Sequence, residues 1–411
     1  MNRRAGFDLV VIGAGVVGSA AALAAARDGQ RVALVEAHEP PAWHADAPDL
    51  RVYAFAPDNA ALLADLGVWP SVLAARAQPY RRMRVWDAAG GGELAFDADA
   101  LGRDSLGHIV EHGLLVDRLW AACGREPGLQ RFTGRLDTLE QDEDTVTAVL
   151  QDGQRLRARL LLGADGAASR VRGLADLPSE RHDYGQRGLV AYVGTAFPHE
   201  DTAWQRFLPT GPLAFLPCAD GRCSIVWTLP DDEATRLLAV DDTTFLRELT
   251  RAFDARLGEL TSVSERVAFP LRRQLARDYV AGRVVLAGDA AHVVHPLAGQ
   301  GVNLGLRDIA ALRLAWRQAG ERGSDFATPH RLARWARGRR SENAIAAHSF
   351  EAINRAFSND AMWPTLLRGQ VLGLAGKLPP LTRLLWKRAA GLTRTRFIFF
   401  LAETESQRER K

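Results

Sequence analysis

Cysteine is scarce. Cys123, Cys218 and Cys223 are the only three in 411 residues, too few and too scattered for a disulfide framework. Cys218 and Cys223 flank a predicted tight turn at Asp220-Gly221, so they either face each other across a hairpin or sit as reduced core thiols. No CxxC or HExxH spacing occurs, so no metal site is indicated. Excess charge of one sign is missing too: 52 basic and 49 acidic residues leave a formal +3, which argues against a nucleic-acid binder. No run is long and apolar enough to span a bilayer. The apolar stretch Leu9 to Ala26 resembles a signal peptide or anchor only superficially, because Asp8 interrupts its start and Gly13, Gly15, Gly18 and many alanines make it a poor spanning helix. Neither a Ser/His/Asp set nor a carboxylate pair stands out. What remains is the composition of a soluble globular protein long enough for two or three domains.

The glycines of that first stretch have a pattern. Asp8 to Ile12 reads as a buried strand, and Gly13-Ala14-Gly15-Val16-Val17-Gly18 follows as G-x-G-x-x-G. A helix of small residues then runs to about Asp28, with Gly29 as its end. Arg31 to Val35 is a second strand that stops at Glu36-Ala37. Strand, glycine turn, helix, strand and acid together form the dinucleotide-binding βαβ unit. Gly13 permits the turn, Gly15 lets the backbone approach a pyrophosphate, and Gly18 lets helix and strand pack closely. Glu36 is placed to accept from a ribose and disfavours a 2′-phosphate. No second G-x-G-x-x-G occurs, so a nicotinamide nucleotide would bind without a Rossmann domain of its own.

Two later stretches repeat the theme of a strand ending in an acid. Leu160 to Gly163 leads to Ala164-Asp165-Gly166, with Ser169 and Arg172 just beyond. Val284 to Ala287 leads to Gly288-Asp289, and the loop Pro296-Leu297-Ala298-Gly299-Gln300-Gly301-Val302-Asn303 follows. That loop carries too many glycines for a helix interior, so a helix is predicted from Asn303 onward through Leu304, Ile309, Leu312 and Trp316. A helix start there offers free N–H groups and a positive dipole end to an anionic or electron-rich ligand.

The order G-x-G-x-x-G, Asp165-Gly166, Gly288-Asp289 and Pro296 to Asn303 resembles that of the FAD-dependent aromatic hydroxylases. Trp204 to Leu213 and Trp335 to Asn359 are similar to the ubiquinone-biosynthesis branch of that class. The resemblance covers nearly the whole chain. It implies an α/β fold: a Rossmann-like, para-hydroxybenzoate-hydroxylase-like FAD-binding domain with an inserted, mainly β substrate domain and a C-terminal helical segment. The division implied is residues 1–75, 101–180 and 271–340 for FAD binding, 76–100 and 181–270 for the sheet domain, and 341–411 for the helical end. Asp289 would bond the ribityl chain, and Pro296, Gly299, Gln300, Gly301, Val302 and Asn303 would lie against the isoalloxazine and pyrophosphate. Arg51 matches an arginine near the pyrophosphate, or is a surface residue. His112 matches a polar position that touches the flavin, with packing or surface roles equally open. Asp165 would lie between FAD and the route of the nicotinamide, with a basic pair beside it facing an anionic cofactor. His295 is a candidate for aiding proton transfer and equally a structural histidine.

The activity so implied is that of an oxidoreductase. NADPH or NADH reduces the flavin as a transient co-substrate, O₂ is activated there, and one oxygen goes to the ring of a polyprenylated phenol. Its long apolar tail calls for an apolar tunnel or a membrane-side opening. Pro364 to Phe400 holds no acid and alternates Arg368, Lys377, Arg383, Lys387, Arg388, Arg394 and Arg396 with apolar residues. Such a tail suits an anionic membrane surface or a partner protein of the same pathway, and equally a helix packed on its own domain. A cytoplasmic enzyme, peripheral on the inner membrane, fits this reading. A hydroxylase of soluble phenols, a polyprenyl reductase and a non-catalytic flavoprotein scaffold are the alternatives; the W-x-W-x-I-P element of flavin halogenases is absent.

Overall fold

The computed structural model describes residues 6–88, 92–294 and 300–357. The most apolar runs become the middle of a parallel sheet. Phe7–Ile12 lies between Val32–Glu36 and Arg155–Gly163, parallel to both. Leu129–Thr133 and Val284–Leu286 extend the sheet on either side, again in parallel. Leu9, Val10, Val11, Leu34 and Leu161 are fully buried, as a parallel sheet covered on both faces requires. The helix Val16–Arg27 is buried along nearly its whole length, which its alanines permit because they let neighbours approach closely. It ends as expected, with Gly29 at φ +84°.

The strand ends are level. Ile12 stands opposite both Gly163 and Val35, and Gly163 opposite Leu286. The three acid-bearing strand ends and the glycine turn therefore leave the sheet along one edge, where open α/β sheets bind ligands.

A second sheet of nine strands lies beside the first. Thr202–Leu208, Gly211–Pro217 and Cys223–Pro230 form a meander, and Ser179–Thr195 and Val267–Ala276 continue the sheet. Arg82–Asp87 and Glu93–Asp97 join at the far edge. One face packs Leu189, Phe215, Ile225 and Trp227 against the helices Asp231–Ala239 and Asp242–Ala252. The other face meets a three-stranded sheet of Val52–Phe55, Gly107–Glu111 and Ala77–Tyr80, through Ile109 and Val52 against Ala203, Ala214, Leu216 and Val226.

Pro57–Asp65 and Trp69–Arg76 are separate helices, because Gly67 at φ +56° breaks the chain between them. One element differs from the sequence reading. The long helix spans Gln300–Glu321, so it begins before Asn303 rather than after it. Gly301 therefore sits in the first turn of the helix rather than in a loop, and Gly305 lies one turn further on. An added Cβ on Gly305 would lie 2.6 Å from Val17 Cγ2 and 3.1 Å from the Gly288 Cα, so close packing requires glycine there. The turn at Asp220-Gly221 forms, but Cys223 faces Pro217 and Cys218 bonds Arg222, so the two thiols are not cross-strand partners. All three cysteines are free and buried, and burial pushes the Cys218 thiol up to about 12.

Candidate cofactor site

The glycine turn is shaped for a close ligand. Gly13 takes φ +101°, and a Cβ there would lie 2.5 Å from the Ala164 carbonyl oxygen. A Cβ on Gly18 would lie 1.9 Å from the Gly13 oxygen, so both positions exclude side chains. Gly15 is different: nothing lies within 4 Å of its Cβ position, which leaves open space at the helix start. The first bond of the helix runs from Ser19 N–H to Gly15 O, leaving the N–H groups of Val16, Val17 and Gly18 before it. No side chain caps this start and no acid sits in the first turn. A cradle of free N–H groups with no acid in the first turn of its helix suits a pyrophosphate.

The start of the Gln300–Glu321 helix is drawn up beside it. Val17 packs on the Cβ positions of both Gly288 and Gly305. Gly301 has nothing within 4 Å of its Cβ position, and no acid occupies this first turn either. Two helix starts thus meet at the edge where the strands end, with Val302 buried behind them. Asp289 follows Gly288 on a short 3-10 turn and is half-buried.

Arg51, His112 and Tyr53 form the adjoining wall. His112 opens the helix His112–Gly124, its N–H donates to the Arg51 carbonyl at 2.8 Å, and its Nδ1 shares a 2.9 Å hydrogen bond with Tyr53 Oη. Burial, with the Arg51 cation alongside, pushes the His112 imidazole down to about 4. Burial raises the Tyr53 hydroxyl, and Arg51, Asp289 and Asp49 are the charges that bear on it. At neutral pH this wall therefore presents a neutral imidazole and a protonated phenol beside an exposed arginine.

Other predicted residues are employed inside the protein. Glu36 stands at the glycine turn, where its carboxylate accepts from the N–H groups of Ala14 at 2.5 Å and Ala37 at 2.8 Å. Asp165 caps the next helix, accepting from Ser169 Oγ and from the N–H groups of Arg170 and Val171. The basic pair expected to face an anion does not. Arg170 donates to the carbonyls of Leu136 and Asp137, and buried Arg172 donates to those of Ala167 and Ala290. Arg172 thereby ties the Asp165 turn to the Asp289 turn. The Asn303 side chain is fully buried and joins Ala54, Ala56 and Asn59. His295, Pro296 and Gly299 lie outside the described residues, as does the tail from Asn359 onward.

The sequence reading missed Asp308. It is completely buried, and its two oxygens accept from Gly288 N–H, His292 Nε2, Arg339 Nε and Asn343 Nδ2 at 2.6–3.1 Å. The signal was available: Asp308 lies on the same helical stripe as Leu304 and Leu312, and an acid on an apolar stripe demands partners.

Beyond the three-stranded sheet, the same face of the large sheet stays apolar. Val190, Val226 and Ala214 are register neighbours there, and Val267 and Phe269 continue the face with 40% of each exposed. Among the described residues no helix is long and apolar enough to cross a membrane.

Comparison with known proteins agrees with this geometry. A family described as FAD binding domain matches residues 7–338. The 3-demethoxyubiquinol 3-hydroxylase of Escherichia coli is 36% identical over 387 residues, 94% of this chain and 98% of that protein. The ubiquinone hydroxylase UbiL of Rhodospirillum rubrum is 37% identical over 93% of this chain and 89% of its own. Among solved structures, p-nitrophenol 4-monooxygenase of Pseudomonas putida superposes with a TM-score of 0.77 at 22% identity, covering 95% of this chain and 98% of that one. A Klebsiella pneumoniae HpxO structure complexed with FAD and uric acid gives a TM-score of 0.71 at 21% identity, over 92% and 96% of the two chains. The chain belongs to this family of FAD-dependent aromatic hydroxylases, in the branch of the ubiquinone-biosynthesis hydroxylases.

Proposed function

We propose that this chain hydroxylates the aromatic ring of a polyprenylated phenol in ubiquinone biosynthesis, using FAD, O₂ and NADPH or NADH. The carrying observation is the pair of helix starts with no acid in their first turns, each with an open glycine, brought together by Val17 at the edge where the strands end. The ubiquinone hydroxylases to which the chain is similar over nearly its full length support the choice of substrate. Bound FAD supplies the oxygen-transfer chemistry.

The chain's own part is to bind, orient and exclude water. The N–H groups of Val16, Val17 and Gly18 hold the pyrophosphate, with Gly13, Gly15 and Gly18 making room. Glu36 and Ala37 receive the ribose end. Asp289 takes the ribityl hydroxyls, and Gly288, Gly301 and Val302 line the approach. Arg51 supplies positive charge, and His112, neutral at working pH, offers a hydrogen bond without a second charge. The apolar sheet face running to Val267 and Phe269 receives the prenyl tail, so that the ring reaches the flavin while the tail stays out of water. The segments 76–100 and 181–270 supply this cover. Attachment to the inner membrane from the cytoplasm, and contact with other enzymes of the pathway, fit a substrate that partitions into lipid.

The test is NAD(P)H oxidation by the FAD-loaded protein with prenylated and unprenylated phenols, followed by product mass. Gain of one oxygen on a prenylated phenol, with stimulated oxidation, is the expected result. Stimulation by unprenylated phenols alone would assign a soluble substrate, and consumption of NAD(P)H without O₂ would assign a reductase.

A further inference from the structure

The buried Asp308 cluster has no part in the binding described above, yet it is bonded directly to the Gly288-Asp289 corner of the site. Its Oδ2 accepts from the Gly288 N–H at 3.1 Å, one residue before Asp289. Gly288 takes φ +61° and is pressed from the other side by Val17 of the glycine turn. Its next neighbour but one, Ala290, is held through its carbonyl by Arg172 of the Asp165 turn. The same Oδ2 accepts from His292 Nε2 at 2.6 Å. Arg339 Nε and Asn343 Nδ2 reach Oδ1 at 2.8 and 3.0 Å, and Trp335 Nε1 donates to the Asp308 carbonyl at 3.2 Å. These last three belong to the helix Pro329–Phe357.

Four donors fill the four acceptor sites of one carboxylate, with no water needed. His292, Asp308 and Asn343 are fully buried, and Arg339 is 5% exposed. A helix could be anchored at far lower cost by apolar packing, because dry ion pairs repay little of their desolvation. What a saturated carboxylate adds is direction: each donor is fixed at one angle. Burial alone would raise the Asp308 pKa, but His292 and Arg339 hold the group ionised, well below the usual carboxylate range.

We propose that Asp308, His292 and Arg339 are positioning residues for FAD, setting the Gly288-Asp289 corner and tying its geometry to the C-terminal helix. This rests on the assignment of Asp289 to the cofactor. The same helix is also tied to the large sheet, where Arg273 of Val267–Ala276 pairs with Glu351 at 2.6 Å. The Pro329–Phe357 helix is therefore a strut between the cofactor corner and the substrate-facing strand.

The experiment titrates FAD into apoprotein by flavin fluorescence quenching and records the visible circular dichroism of the bound flavin. Asp308→Asn keeps the shape but loses the charge and one acceptor pair. It should weaken FAD binding about tenfold and change the dichroism. Leu332→Ala, on the same helix and outside the cluster, supplies a control with a comparable melting loss; it should leave affinity within about twofold. If Asp308→Asn does not fold, Arg339→Lys carries the test, since lysine cannot reach Asp308 and Asn343 together. Unchanged FAD affinity and dichroism in the folded cluster variant would overturn the proposal. So would an equal loss of affinity in Leu332→Ala. Failure of the wild-type chain to bind FAD would sink the cofactor reading itself, and this proposal with it.

Discussion

At the scale of the residue, His112 carries a consequence for pH. Its imidazole is pushed down to about 4 by burial, with Arg51 alongside and Asp49 opposing. In the unfolded chain it titrates near 6.5. As pH falls through that value the unfolded chain takes up a proton that the folded chain refuses. His112 thus supports the fold fully above pH 6.5, and that support is lost progressively toward pH 4. His108, also lowered by burial, acts in the same direction. His112→Gln should therefore lose less stability than wild type between pH 7 and pH 5, by about 1–2 kcal/mol in urea unfolding. Identical pH profiles would remove His112 as a titrating group. The case also shows what a sequence conveys about single residues. Position in a motif located Asp165 and Asn303 at the site edge, but not their occupation. Asp165 spends its oxygens on a helix start, and Asn303 spends its amide on Ala54, Ala56 and Asn59. The Asn303 partners lie more than two hundred residues away, which spacing does not reveal, whereas those of Asp165 are within six residues and depend on a helix start the motif did not specify.

At the scale of the element, glycine shows the same divide. The three glycines of the first turn were legible because strand and helix patterns flank them. Gly301 was misread as part of a loop too rich in glycine for a helix, and the need for glycine at Gly305 was invisible because the surface that requires it belongs to Val17 and Gly288, far away in sequence. Two substitutions separate the roles. Gly305→Ala forces a methyl group to 2.6 Å from Val17, so the helix or Val17 must shift, at about 1–3 kcal/mol. FAD affinity should fall with it, since Val17 and Gly288 both border the cradle. Gly338→Ala lies in the C-terminal helix with nothing within 4 Å of the new Cβ. It should raise stability by about 0.5–1 kcal/mol through the helix preference of alanine alone. Thermal melts of the two apoproteins read both signs; a stabilising Gly305→Ala would mean that the close contact is not required.

At the scale of the whole molecule, the chain has two principal apolar cores, one around the parallel sheet and one between the large sheet and its two helices. Among the features that join them are the Ile109 cluster, the hydrogen bond from Tyr192 Oη to the Asp49 carbonyl at 2.7 Å, the pairing of Gln274 and Leu275 with Val293 and His292, and the Arg273–Glu351 pair. Fold class was readable because each core has its own period, helical alternation in one and a meander in the other. The junction was not, since it is made from single residues of strands whose pairing partners are remote. The cofactor, bound by segments of the parallel-sheet body, should favour that body's folded state by mass action, about 2.7 kcal/mol at a hundredfold excess over its dissociation constant. Calorimetry with and without FAD should then show the transition of the parallel-sheet body moving up, and the large-sheet body following only through the junction. Asp289→Ala should abolish most of that upward shift and the yellow colour. Because Asp289 is half-buried on a short turn, the apoprotein midpoint should stay within about 2 °C of wild type. A variant that keeps the full FAD-dependent shift would show that the ribityl chain is held by other groups; one that loses its apo midpoint as well would make Asp289 a structural residue.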